Sequence, residues 1–505
     1  MHRSSAEVSK YPRLSKRSRI APFLKSREVH IIRSRNLLLV SVVVLLVLGI
    51  TLGLYACGGG GGGSGASSTT ADTLFPLHTE AGKRYLVDAG GKPFLLHADA
   101  PWSLIVDLSN ADAEQYLEDR RQKGFNAVIV NLIEHKFSTR APNNINGDAP
   151  FTTVGDYSTP NPAYFAHADQ VIQMAAAKGI LVLLTPSWLG FNGGNEGWYQ
   201  EMVANNTADP NRLRNYGRYL GQRYNSFSNI LWVNGGDFNP PDKTLTRAIA
   251  LGIKEFDTHS LHTAHCTTET SALGYWSGET WLQVNNIYTY VDVSSKAQTE
   301  YSNTMPFFLI ESRYENENMP EGTEQHVRVQ AYQALLLGAM GQAFGNNPIW
   351  HFNGPGIFPT GTPTTWQGWL NSPGANSMVN VRSLFAARTW WTLVPDFSHT
   401  LLTNGYAGSG TPYDLAVAAK ASDGSFALVY MPSARTVTVD LGQLAGLKVS
   451  ARWYDPASGV FSAIPIAGSP FLTSSGSHAL IPPAGNNASS SGSFTDWVLV
   501  LESTP

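Results

Sequence analysis

Between Leu74 and about His399, short apolar runs alternate with amphipathic stretches, and no other feature limits the fold of this chain so strongly. Parallel strands are joined by crossover helices, so the alternation predicts an α/β unit whose strands close into a (β/α)8 TIM barrel over 74–398. The apolar runs fall at Phe94–His97, Ala127–Leu132, Ile180–Thr185, Ile230–Asn234, Thr263–Cys266, Val284–Tyr288, Phe307–Glu311 and Ala343–Trp350, of which the fifth and sixth are weakly marked. Between them the spacing predicts helices over Ala111–Lys123, Pro162–Lys178, Pro210–Tyr224, Lys243–Asp257 and Thr323–Leu337, with Asn110 and Asn161 as N-caps.

After a helix near Met378–Trp391 the texture becomes rich in Gly, Ser and Thr. Strand-like runs follow at Leu415–Ala419, Phe426–Met431, Thr436–Leu441, Val449–Tyr454 and Trp497–Leu501. They predict a small antiparallel β-sandwich over 399–505.

The formal net charge of −3 is uneven, because residues 1–36 hold ten Lys/Arg and two Glu, which is +8 and leaves −11 for the rest. A nucleic-acid partner does not follow. The basic residues all precede the uncharged run Leu37–Ala56, where they read as a positive-inside flank to a segment of the length a bilayer span needs. A transmembrane or signal segment is therefore expected at 37–56, after a basic cytoplasmic or signal n-region at 1–36, with a Gly/Ser-rich tether at 57–73. Ala56-Cys57 resembles a bacterial lipoprotein signal, with Cys57 as the lipidated residue. Tyr55 and the long n-region keep an uncleaved signal anchor open as the other reading. Both place the folded part outside the cytoplasm, on the bacterial cell envelope. With Cys266 as the only other cysteine, there is no disulfide framework.

Reactive side chains of a barrel stand at the C-terminal ends of its strands, so carboxylates directly after apolar runs carry the most information. Two stand out. In Asn229-Ile230-Leu231-Trp232-Val233-Asn234-Gly235-Gly236-Asp237 a buried run breaks into two glycines that present Asp237, and in Phe307-Phe308-Leu309-Ile310-Glu311 an apolar run ends on Glu311. Alone, Asp237 would pass for a cap on a helix near Pro240, and Glu311 for the partner of Arg313. As a pair on strands four and seven they fit glycosidic cleavage, which needs one carboxyl group to protonate the leaving oxygen and another to attack or to activate water.

Three motifs then resemble the apiosidase-like glycoside hydrolases. They are Leu96-His97-Ala98-Asp99-Ala100-Pro101-Trp102 with the helix that follows, the Trp232 to Asp237 segment, and Leu309 to Glu315. The resemblance implies a barrel with Asp237 as acid/base and Glu311 as nucleophile, acting by an exo route on a carbohydrate. Ala98 and Pro101 depart from the family's first-strand pattern and bear on the sugar. The terminal segment is similar to a small domain named for collagen binding, through Val429-Tyr430-Met431-Pro432, Trp453-Tyr454-Asp455-Pro456 and Asp496-Trp497-Val498-Leu499-Val500; the name is no evidence for collagen.

Candidate sugar contacts are Asp99, Trp102, Asn131, Glu134, Trp188, His265, Tyr288, Trp350 and His351, since rings stack on sugar faces and polar side chains bond hydroxyls. Loops 141–160 and 191–198 shape the pocket. His262, His265 and Cys266 lack a fourth ligand at zinc spacing, so no metal is expected. No Gly-x-Ser-x-Gly elbow, Walker loop or dinucleotide fingerprint occurs in the folded part, and no cofactor is expected. The rival reading is a non-catalytic glycan-binding surface protein, which would not need the carboxyl pair. The sequence is silent on oligomeric state.

Overall fold

The computed structural model describes residues 74–317, 322–354, 363–464, 471–473, 476–483 and 495–504. The basic segment 1–36, the apolar run 37–56, Cys57 and the tether lie outside these residues. Among the described residues no helix is long and apolar enough to cross a membrane.

After a small antiparallel sheet of His78–Thr79, Leu86–Val87 and Pro93–Phe94, which takes up the start of the predicted Phe94–His97 run, eight parallel strands form the main sheet: β1 (Leu96–Asp99), β2 (Ala127–Asn131), β3 (Leu181–Thr185), β4 (Ile230–Gly235), β5 (Leu261–His265), β6 (Asn285–Tyr288), β7 (Phe307–Glu311) and β8 (Gly341–Phe344). Every residue of these strands is buried, as expected when one face looks into the barrel and the other onto helices. The backbone ladder runs β5-β4-β3-β2-β1-β8-β7-β6, so a seam separates β5 from β6. Asn286 on β6 closes it by donating to Ala264 O and Thr263 Oγ1 on β5, while the amides of Gln283 and Val284 reach His262 O. The sheet is thus a TIM-like barrel sutured along one seam. Polar residues on β5 and β6 make that suture, and they are also why these two runs are faint in the sequence.

The major helices are α1 (Asn110–Gln122), α2 (Pro162–Ala177), α3 (Arg212–Tyr224), α4 (Thr244–Lys254), α5 (Val293–Tyr301), α6 (Glu324–Leu336) and α7 (Pro373–Ala386). Asn161 caps α2 as expected, accepting from Ala163 N. The cap of α1 is Ser109, whose hydroxyl accepts from Asp112 N, and Asn110 is the first helical residue. The last barrel run is shorter than expected. After Phe344 the chain leaves the sheet for a loop through the cis Asn347–Pro348 peptide, which places Trp350 at the rim.

The C-terminal part holds two antiparallel sheets. The larger runs through Leu393–Pro395, Val417–Ala421, Phe426–Met431, Trp497–Thr504, Lys448–Tyr454 and Phe461–Ala463, and the smaller pairs Leu402–Asn404, Val437–Asp440 and Ser477–Leu480. Alternation along Phe426–Met431 decides their packing. Ala427, Val429 and Met431 meet Val437, Val439 and Leu480 of the small sheet, whereas Phe426, Leu428 and Tyr430 join the barrel's core. The large sheet is therefore covered on both faces, which is why its strands read as continuous apolar runs. Tyr430 stacks on Tyr332 of α6 at 4.5 Å, and Arg328 of α6 makes a buried two-pronged bond to Asp496 at 2.8 and 2.9 Å.

Candidate active site

A cleft opens at the C-terminal ends of the strands, with an empty volume of about 690 Å³ including its mouth. Asp237 and Glu311 both line it, and a carboxylate oxygen of each lies within 4.8 Å of the other and of a His265 ring nitrogen. Asp237 does not cap a helix, because α4 begins only at Thr244.

The glycines after β4 have a steric purpose. A Cβ on Gly235 would stand 2.6 Å from His265 O, and one on Gly236 would stand 2.0 Å from Trp188 Cδ1. With φ of +91° and +135° they turn the chain, and Asp237 follows at φ +49°, a left-handed conformation that costs a non-glycine residue about 1 kcal/mol or more. The Asp237 amide donates to His265 Nδ1 at 3.0 Å, which fixes the turn.

That bond also fixes the imidazole. With Nδ1 accepting, the proton sits on Nε2 and is donated to Glu311 Oε2 at 3.1 Å. Burial opposes a charge on this ring, but the bond to Glu311 and the charges of Asp237 and Glu311 outweigh it and raise the pKa. A second proton on Nδ1 would face the Asp237 N–H, so the bonded geometry belongs to the neutral ring. Both ring nitrogens are then engaged, and Asp237, His265 and Glu311 form one hydrogen-bonded acid–base group.

Glu311 accepts a second bond from the Tyr290 hydroxyl at 2.8 Å, on Oε1. Burial and the charges of Glu311 and Asp237 push the Tyr290 pKa well above its ordinary value, so this hydroxyl keeps its proton. Burial first and Glu311's charge second push the Asp237 pKa up to about 7, against His265 and the nearby Tyr288 hydroxyl.

The walls are aromatic and acidic. Trp102, Phe137, Trp188, Trp350, Tyr290 and Tyr314 alternate with Glu134, Glu196 and Glu317, and among the described residues no lysine or arginine lines the cleft. Indole N–H groups are tied down: Trp102 to the Tyr314 hydroxyl at 2.8 Å and Trp350 to Glu317 Oε2 at 2.7 Å. Glu134 Oε1 accepts from Ser103 at 3.0 Å, whereas among the described residues Glu134 Oε2 and Asn131 Oδ1 have no hydrogen-bond partner. Burial, opposed by the Ser103 bond and aided by the charge of Asp107, pushes Glu134 up to about 8.

Of the residues expected from sequence, Trp102, Asn131, Glu134, Trp188 and Trp350 line the cleft with the two acids. His265 and Tyr288 stand behind the acids, their rings stacked at 4.8 Å. Asp99 is elsewhere. Its carboxylate points to the helix layer, fully buried, accepting from Tyr116 at 2.6 Å and Arg120 at 2.5 Å on α1. It ties β1 to α1 and does not reach the cleft. His351 is buried between Asn347 Oδ1 and Gly354 O, off the lining. Sequence reasoning missed Phe137, Glu196, Tyr290, Tyr314 and Glu317. Tyr290 had a signal, since residue i+2 along an extended chain faces the same way as Tyr288.

Residues 80–392 match the family model described as "Apiosidase-like, catalytic domain", and residues 394–502 match the model described as "Putative collagen-binding domain of a collagenase". No curated relative matches the chain. Among solved structures, one titled "Glycoside hydrolase" is 24% identical with a TM-score of 0.70, covering 86% of this chain and 98% of its own. A glycoside hydrolase family 5 structure from Bacteroides vulgatus is 23% identical with a TM-score of 0.70, covering 85% and 93%. At these identities the likeness is one of fold.

Proposed function

The chain belongs to the apiosidase-like catalytic-domain family and is a glycoside hydrolase, and on that premise we propose that it cleaves with retention of configuration, Glu311 attacking and Asp237 serving as acid and then base. The observation that carries this is the spacing of the acids. Oxygens within 4.8 Å leave no room for the water that an inverting pair must hold, and match the roughly 5 Å of retaining pairs. The donors divide the labour: Glu311 receives Tyr290 and His265, which steady a carboxylate, while Asp237 is held protonated to about pH 7.

In the reaction so read, Asp237 protonates the glycosidic oxygen as Glu311 forms a bond to the anomeric carbon and the aglycone leaves. Asp237, now ionised, takes a proton from water, which attacks the same carbon and releases Glu311. The indoles supply stacking faces, and Asn131 Oδ1 and Glu134 fit sugar hydroxyls. A wall with carboxyl groups and, among the described residues, no cation favours an uncharged saccharide over a uronate, so the substrate is a neutral glycan, with exo action on side chains of plant polysaccharide as the apiosidase-like reading.

The place of action belongs to the same proposal. The +8 flank, the apolar run and Cys57 argue for a folded part tethered outside the cytoplasmic membrane. Protease should digest the barrel in intact spheroplasts, and fatty-acid labelling should vanish in Cys57→Ser if the tether is a lipid; full protection of the barrel would refute the topology. The test of the chemistry is the anomer first released, read by proton NMR on a hydrolysed glycoside. Inverted sugar would refute the paired roles.

A further inference from the structure

At one point the C-terminal sheets reach the back of the cleft. Tyr413 stands on the short turn Pro412–Asp414, between the small sheet's first strand and the large sheet's second. Its hydroxyl donates to Tyr290 O at 2.7 Å, and Arg313 Nε lies 3.0 Å from that same carbonyl and 3.2 Å from the Tyr413 hydroxyl. Among the described residues these two side chains are the donors to the Tyr290 carbonyl. At its other end Tyr290 gives its hydroxyl to Glu311.

The turn that carries Tyr413 is fastened from both sides. Gln333 of α6 donates to Pro412 O at 2.8 Å and to Leu415 O at 3.2 Å. From the sandwich, Arg435 donates to Asp414 Oδ1 at 2.8 Å, with Ser433 on the same oxygen. The ring itself lies against His326 of α6, centroids 3.9 Å apart. A tip held this firmly transmits position, because each bond in the series joins a fixed group to the next.

We propose that Tyr413 is a positioning residue for glycoside cleavage, a side chain of the accessory sheets that sets Glu311 through Tyr290. The inference rests on reading Glu311 as the nucleophile. Anchoring the Tyr290 carbonyl fixes where its ring can stand, and so where its hydroxyl holds Glu311 Oε1. The C-terminal part then belongs to the catalytic apparatus without placing a group on the substrate.

Three full-length variants test this. Tyr413→Phe removes the hydroxyl and keeps the ring, Tyr413→Ala removes both, and Val439→Ala loosens the core between the two C-terminal sheets as a stability control. On a glycoside that the native chain hydrolyses, Tyr413→Phe should lower kcat about 5- to 10-fold, the worth of one hydrogen bond, with KM within about twofold. Tyr413→Ala should lower it further, and Val439→Ala should lower the melting temperature with kcat unchanged. A crystal structure of Tyr413→Phe should show the Tyr290 to Glu311 bond lengthened from 2.8 Å. The proposal is overturned if that bond is unaltered, if kcat is native in Tyr413→Phe, or if Val439→Ala loses kcat equally. Should the native chain hydrolyse no glycoside, the functional reading fails, and the Tyr290 position in the variant structure still decides this one.

Discussion

Removing the charge of Glu311 should lower the pKa of Asp237 by about 1–2 units. Asp237 is carried from 3.8 to about 7 by burial first, then by Glu311, with a smaller push from Glu196 and opposing pulls from His265 and Tyr288. Two point charges about 5 Å apart repel by about 3–4 kcal/mol at an effective dielectric constant near 20, equivalent to about 2–3 pKa units, and this is an upper figure because each carboxylate spreads its charge over two oxygens. Burial is the larger cause, so the share of Glu311 must be the smaller part of the rise. In Glu311→Gln, then, Asp237 should titrate at about 5–6. The assay is NMR titration of ¹³C-carboxyl-labelled aspartate, with Asp237→Asn to assign the signal. The sign carries into kinetics: the acid must hold its proton, so native kcat/KM should fall as pH rises through about 7. When Glu311 is esterified to sugar its charge is gone, as in the Gln variant, and the lowered pKa turns Asp237 into a base for the second step. A native Asp237 titrating near 4, or one that titrates alike with and without Glu311, would refute the electrostatic argument.

Glu311→Ala should abolish turnover, with azide restoring part of it as the inverted glycosyl azide, and Asp237→Ala should spare substrates with good leaving groups and give the retained azide; NMR of the products checks both. Gly236→Ala should cost about 2–4 kcal/mol of stability or displace the Trp188 wall with at least a tenfold loss of kcat, because its Cβ would lie 2.0 Å from Trp188 Cδ1; a variant with native melting and turnover contradicts that account. Arg328→Ala should destabilise the chain by about 3–5 kcal/mol in urea unfolding, since it strips a buried carboxylate of its two-pronged partner at the barrel–sandwich contact; a loss under 1 kcal/mol would show that contact to be dispensable.

The barrel was legible because its strands are buried on both faces and its helices follow with caps and amphipathic spacing. Asp237 and Glu311 were legible for a related reason: an apolar run that stops on a carboxylate is the sequence trace of a barrel strand reaching its mouth. Side-chain direction was less legible. Asp99 ends β1 just as Glu311 ends β7, yet it points outward to Arg120, and only the partner on α1, 21 residues away, settles which way it faces. The cap of α1 went to Ser109 over Asn110 because both residue types suit the position and one step in register decides. Phe137, Glu196, Tyr314 and Glu317 sit on loops beyond the strand ends, where no periodicity applies, and Tyr413 comes from a segment about 100 residues past Glu311.

The division of roles between two like carboxylic acids follows from donors and backbone more than from residue type. Glu311 is the last residue of β7, just past a register shift against β6 between Leu309 and Glu311, and it stands between two fixed donors, Tyr290 and His265. Asp237 sits on a strained turn whose own amide occupies His265 Nδ1, and this is what commits the ring to donate to Glu311. The backbone of the acid thereby orients the histidine that steadies its partner. The turn at positive φ through Gly235 and Gly236 carries the Asp237 backbone off the line of β4, whereas Glu311 is itself the last residue of β7 and reaches the cleft with one methylene more. The two glycines, the left-handed aspartate and the neutral histidine therefore form one device, in which altering any part moves both acids at once.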